Sequence, residues 1–170
     1  FPIVVGILLL ALTAYFFGRW AYSEKAGLYA AAILASCVGM FLFTRVMIPE
    51  TILTLWFTLA HYCFLRGFFG EGKQKRWYYG LYLAIALAVL TKGLIGLVFV
   101  IGPIGLFLLL TRSLWSEIKH LRLLTGALLV FLIAAPWHWL AGVRNQRFFW
   151  FYFMNEHVYR FLGKREPKDY

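Results

Sequence analysis

Arg45-Val46-Met47-Ile48-Pro49-Glu50 places a cation and a carboxylate between two long apolar segments, and its reading decides the fold. Either charge would cost several kcal/mol inside hydrocarbon, so an ionisable pair at the edge of an apolar run marks a membrane boundary and a candidate functional site. The flanking runs, Ala26 to Phe43 and Pro49 to Leu65, are each close to the ~20 residues that a helix needs to cross a bilayer.

Four further runs extend the pattern: Phe1 to Phe17, Trp77 to Thr91, Gly93 to Leu110 and Leu123 to Leu140. In lipid such segments must be helices, because each backbone group has to be satisfied internally. The expected fold is therefore all-α, a polytopic membrane bundle of six transmembrane helices over 1–140, followed by an interfacial aromatic and basic segment over 141–170. Composition agrees: 62% of the residues are hydrophobic, 20% aromatic and 14% charged, against about 25% charged in soluble domains. The net charge of +10 comes from residues that flank the spans, which argues against nucleic acid as a partner. Cys37 and Cys63 fall inside spans, so neither a disulfide framework nor a zinc site is expected. An apolar start at Phe1, with no basic leader region, reads as an internal portion of a longer chain.

Orientation follows from the short connections. Arg19, Lys25, Arg66, Lys73, Lys75, Arg76, Arg112, Lys119 and Arg122 fall on one side, against only Arg45 and Lys92 in the connections of the other. The positive-inside rule puts the first set in the cytoplasm, and Arg45, Glu50, Lys92 and the segment after Leu140 outside. The six basic residues after Leu140 run against that assignment.

Along the third span Glu50, Thr54, Thr58 and His61 recur at helical spacing, a polar stripe expected to face protein or a wet cavity. Gly80, Ala84 and Ala88 form a small-residue face, and Gly93, Gly96, Gly102 and Gly105 are expected to allow close helix approach. Pro103 and Pro136 are expected to kink the fifth and sixth spans.

At the outer boundary Lys92 reads either as a snorkelling lysine that ends a helix or as a phosphate contact. Phe148 to Phe153 reads as an anchor at the headgroup level. Glu156, His157 and Arg160 share one helical face, either as a solvated ion pair with a bystander histidine or as an anion site built on Arg160 and His157. His138, Arg45 and Glu156 complete the polar surroundings. No phosphate-binding glycine loop, nucleophile elbow or Cys/His metal spacing occurs. A donor reaching this boundary from outside is better lipid-linked than a soluble nucleotide.

Taken in order, Arg45 to Trp56, Leu90-Thr91-Lys92-Gly93, Ala135-Pro136-Trp137, and Phe148-Phe149 with Glu156 to Leu162 resemble the bacterial aminoarabinose-transferase and protein O-mannosyltransferase-like glycosyltransferases of the GT-C fold. The resemblance implies an enzyme of the bacterial inner membrane with its site facing the periplasm. It would move a sugar from a polyprenyl-phosphate donor to a lipid, glycan or protein acceptor, with inversion. It also implies that Lys92 and Arg160, helped by His157, hold the donor phosphate. Glu50 would be the catalytic residue within the chain, orienting the acceptor or a cationic group, Arg45 would shape the cavity with it, and the catalytic base would lie upstream of Phe1. Many relatives carry Asp where this chain has Glu50. No metal site is expected, and dependence on a divalent metal stays open. The competing reading is a transporter or flippase for a lipid-linked anion, and a third is a non-catalytic scaffold. The gathering of charge at one face, without an internal repeat, favours the enzyme.

Overall fold

A computed structural model of the chain describes residues 2–46, 48–70, 75–160 and 162–164, without the side chains of Phe43, Thr44, Arg45, Lys75 and His157. The expectations placed on the side chains of Arg45 and His157 therefore lie outside the described residues.

All described secondary structure is helical. The elements are α1 (Pro2–Ala21), α2 (Glu24–Ser36), α3 (Val38–Arg45), α4 (Glu50–Phe69), α5 (Lys75–Lys92), α6 (Ile95–Leu110), the short α7 (Leu114–Glu117), α8 (Leu123–Arg144) and a π-helical segment (Trp150–Tyr159). Three of these, α1, α4 and α8, are long and apolar enough to cross a membrane, and α6 is a shorter apolar helix. The second expected span is broken in two at Cys37, whose backbone is extended (φ −66°, ψ 127°). The Ser36 hydroxyl donates to the Ile33 carbonyl at 3.1 Å, a local bond that competes with helix continuation.

The core lies between α4, α5 and α6. Ala60 and Phe64 on α4 pack against Tyr78, Leu81 and Ile85 on α5, with Val100, Ile104 and Leu108 of α6 closing the cluster. α5 also packs on α8, so α4, α6 and α8 all contact it. Ala84 and Ala88 are fully buried, as a small-residue face requires.

The glycines divide by use. Gly96 lies on the backbone of Ala88, where an added Cβ would stand 2.6 Å from the carbonyl carbon, and Gly126 lies closer still to the Tyr82 ring, at 2.1 Å. Gly102 and Gly105 meet nothing within 4 Å, so the expected close approach on that part of α6 does not occur here. Gly93 serves the turn between α5 and α6 through its left-handed backbone (φ +79°). Pro103 and Pro136 lie within α6 and α8, both of which continue beyond them.

Beyond Glu50, the polar stripe of α4 bonds to its own helix. Thr54 donates to the Glu50 carbonyl and Thr58 to the Thr54 carbonyl, both at 2.8 Å, while His61 Nδ1 lies 2.7 Å from the Phe57 carbonyl. Hydroxyls that bond one turn back need no wet cavity. Of the two expected surroundings, protein or a wet cavity, the stripe needs only the first, and the polar cavity is lined by the end of α5 and by residues beyond it.

Candidate functional site

Lys92 ends α5, where the helix dipole favours a cation. Gly93 then closes the helix by donating its N–H to the Val89 carbonyl at 2.8 Å. One residue earlier, the Thr91 hydroxyl donates to the Leu87 carbonyl at 2.7 Å and accepts from the Trp56 indole N–H of α4 at 3.2 Å. This ties the end of α5 to the first turns of α4. Pro49 stands just before α4 and Glu50 is its first residue, where the dipole favours an anion. Because α4 and α5 pack together, Lys92 Nζ donates to Glu50 Oε1. Glu50 Oε2 and the Thr51 hydroxyl, both buried, find no acceptor or donor among the described residues.

A second set of groups comes from the chain's return. After α8 ends at Arg144, the segment Trp150–Tyr159 folds back so that Phe148 and Tyr152 pack on Trp137 and His138. His138 Nδ1 lies 2.8 Å from the Ala134 carbonyl, which can only accept, so Nδ1 carries the proton. Nε2 is then a bare acceptor, and the Tyr152 hydroxyl donates to it at 3.1 Å. Burial pushes the Tyr152 hydroxyl pKa up, which keeps it protonated as that donor. Farther along, Arg160 Nη1 donates to Glu156 Oε2 at 3.1 Å, the i, i+4 pair that the spacing implies.

These groups enclose a cavity of about 490 Å³ whose walls include Lys92, Trp137, Tyr152, Glu156 and Arg160. Beside it runs an apolar groove of about 620 Å³ between α5, α6, α8 and the returning segment. Val89 and Tyr152 line both spaces, so the polar cavity and the groove share a wall.

Of the residues singled out from the sequence, Lys92, Glu156 and Arg160 line one cavity, and Glu50 joins them through Lys92. His138 lines the groove instead, and reaches the cavity wall through Tyr152 and Trp137. Both cations already hold a carboxylate. An incoming anion would use the donors left over, since a lysine carries three N–H groups and an arginine five. Sequence reasoning missed Tyr152, which was counted among the anchoring aromatics, and it missed the Trp56 to Thr91 bond. Among the described residues no cluster of three His, Cys, Asp or Glu side chains forms.

Comparison with known proteins places this geometry in a family. A protein of Aquifex aeolicus without an assigned function is 33% identical over 89% of the chain, and a second from the same organism is 28% identical over 98%. An undecaprenyl phosphate-alpha-4-amino-4-deoxy-L-arabinose arabinosyl transferase 2 of Proteus mirabilis is 29% identical over 96%. The chain spans 33%, 33% and 30% of the lengths of these relatives. No solved structure matches it. The family model for the dolichyl-phosphate-mannose-protein mannosyltransferases matches residues 1–154, and the chain belongs to that family.

Proposed function

We propose that the chain is the donor-binding part of a multi-pass membrane glycosyltransferase that uses a sugar carried on a polyprenyl phosphate. The observation that carries this reading is the shared wall between the polar cavity and the apolar groove. A lipid-linked phosphate needs such a pairing, with cations at its head and a greasy channel for its tail. The Proteus mirabilis relative, whose name includes undecaprenyl phosphate, supports the same donor class.

In this reading Lys92 and Arg160 direct their remaining N–H groups at the phosphate, with His157 assisting, while Glu50 and Glu156 hold the two cations in place. The acceptor oxygen forms its bond to the anomeric carbon from the face opposite the phosphate, with inversion, as the bond from that carbon to the phosphate oxygen breaks. The acceptor proton passes to a carboxylate supplied from outside this chain. Negative charge grows on the departing phosphate, and Lys92 and Arg160 stabilise it most at that moment. Arg45 and His138 complete the surroundings. The donor phosphate would lie at the outer face of the bacterial inner membrane. The α2–α3 pair, α5 and α6 would complete six crossings together with α1, α4 and α8, leaving 141–170 as the interfacial segment. The acceptor is a lipid, a glycan or a protein.

Native mass spectrometry of the full-length parent, extracted gently from its membrane, tests the reading. A polyprenyl phosphate bound to wild type and lost from Lys92→Ala and Arg160→Ala is expected. A carrier that survives both changes would remove the cations from their assigned role and favour transport of a lipid-linked anion.

A further inference from the structure

The second concentration of charge lies at the other end of the bundle. Arg66 is sixteen residues along α4 from Glu50, about 24 Å along the axis at 1.5 Å per residue. Its guanidinium sits among three rings from three helices: Trp20 of α1 at 5.3 Å, Tyr62 of α4 at 5.9 Å and Trp77 of α5 at 4.6 Å. The rings also pack on one another, Trp20 on Tyr62 at 6.0 Å and Tyr62 on Trp77 at 5.7 Å. Arg76 approaches the same Trp77 ring at 5.7 Å.

Two guanidinium groups thus share one indole. Aromatic faces attract each cation, but they do nothing for the repulsion between the two, and they leave the in-plane N–H groups without acceptors. Among the described residues neither arginine forms an ion pair. A cavity of about 470 Å³ borders Arg76 and Trp77, and elsewhere on their surfaces α4 and α5 expose Phe69 and Leu83. An anion with an apolar body would meet both the charge and the rings, at the depth where Trp and Tyr belong in a bilayer.

We propose that Arg66 and Arg76, framed by Trp20, Tyr62 and Trp77, form a binding site for the phosphodiester headgroup of an anionic membrane phospholipid in the leaflet opposite the Lys92 cavity. The forked donors of arginine fit phosphate oxygens, a net negative lipid cancels the repulsion, and its acyl chains cover exposed apolar surface of α4 and α5. The site is independent of the donor-binding reading, since it shares no residue with that cavity.

The test uses the full-length parent in nanodiscs of phosphatidylcholine doped with phosphatidylglycerol, with retained lipid counted by native mass spectrometry. Wild type is expected to retain phosphatidylglycerol selectively, and Arg66→Gln/Arg76→Gln to retain about tenfold less, given the modest attraction each cation contributes at a membrane surface. The exposed Arg76→Gln alone, which leaves the aromatic frame whole, is expected to show a several-fold loss. Lys92→Ala is expected to retain the lipid as wild type does. Unchanged retention in the Arg76→Gln and double variants would overturn the proposal, and so would displacement of the lipid by inorganic phosphate, which would mark a soluble anion site.

Discussion

Lys92 and Glu50, forty-two positions apart in sequence, form an ion pair where the end of α5 meets the start of α4, with side chains 40% and 35% exposed. At that exposure the pair contributes at most about 1 kcal/mol to stability. If Lys92 binds the donor phosphate as proposed, the value of the pair lies in where it holds the lysine. Lys92→Ala is therefore expected to leave the unfolding midpoint of the full-length parent nearly unchanged, while lowering the proposed single-turnover transfer about a hundredfold or more. A fall in rate that tracks a large fall in midpoint would instead make Lys92 a structural residue.

Gly96 and Gly102 stand on the same helix in opposite situations. An added Cβ at Gly96 meets the Ala88 backbone at 2.6 Å, and backbone cannot swing aside. Gly96→Ala is expected to destabilise by about 1–3 kcal/mol, the usual cost of overpacking. Gly102→Ala meets open space and is expected to be neutral or to stabilise by up to about 1 kcal/mol through helix propensity. Thermal unfolding of both variants in one detergent decides the contrast, and equal midpoints would refute it.

The helical fold was legible because lipid leaves the backbone no other arrangement. The Glu156 to Arg160 pair was legible because it is local, one helical turn apart. The pairing of Glu50 with Lys92 was not, since it depends on which helices pack together. Nor was the break at Cys37, where the hydroxyl of Ser36 turns back to its own helix without disturbing the apolar pattern. Tyr152 was hidden for a different reason: a run of aromatics reads the same whether it anchors in headgroups or lines a groove, and only the return of the chain onto His138 separates the two.

Filling the groove tests its assignment to the lipid tail. Ala134 is buried on α8 and lines the groove, so Ala134→Phe would occupy tail space without touching Lys92 or Arg160. Retention of a polyprenyl phosphate is expected to fall about tenfold, the loss of roughly 55 Å² of apolar contact at 25 cal/mol per Å². Binding of a water-soluble donor analogue without a tail is expected to stay at the wild-type value. Equal losses for both would show that the groove does not hold the tail.

Tyr152 and His138 satisfy each other at the junction of cavity and groove, and the cost of separating them is asymmetric. Tyr152→Phe leaves His138 Nε2 without its donor beside apolar side chains, which is expected to destabilise by about 1–3 kcal/mol. Adding His138→Phe removes the stranded acceptor, so the double variant is expected to recover part of the loss, with an interaction energy of about 1 kcal/mol in the cycle. Burial raises the Tyr152 pKa in the folded state above its unfolded value near 10, so the folded protein holds that proton more tightly than the unfolded chain does. The stability this gives is complete below about pH 10 and declines as the pH rises through the folded-state value. The gap between wild type and Tyr152→Phe is expected to stay constant from neutral pH to about 9 and to narrow only above 10. Denaturation of the two proteins across that range measures it, and a gap that closed between pH 7 and 9 would mean that Tyr152 is not the donor in the pair.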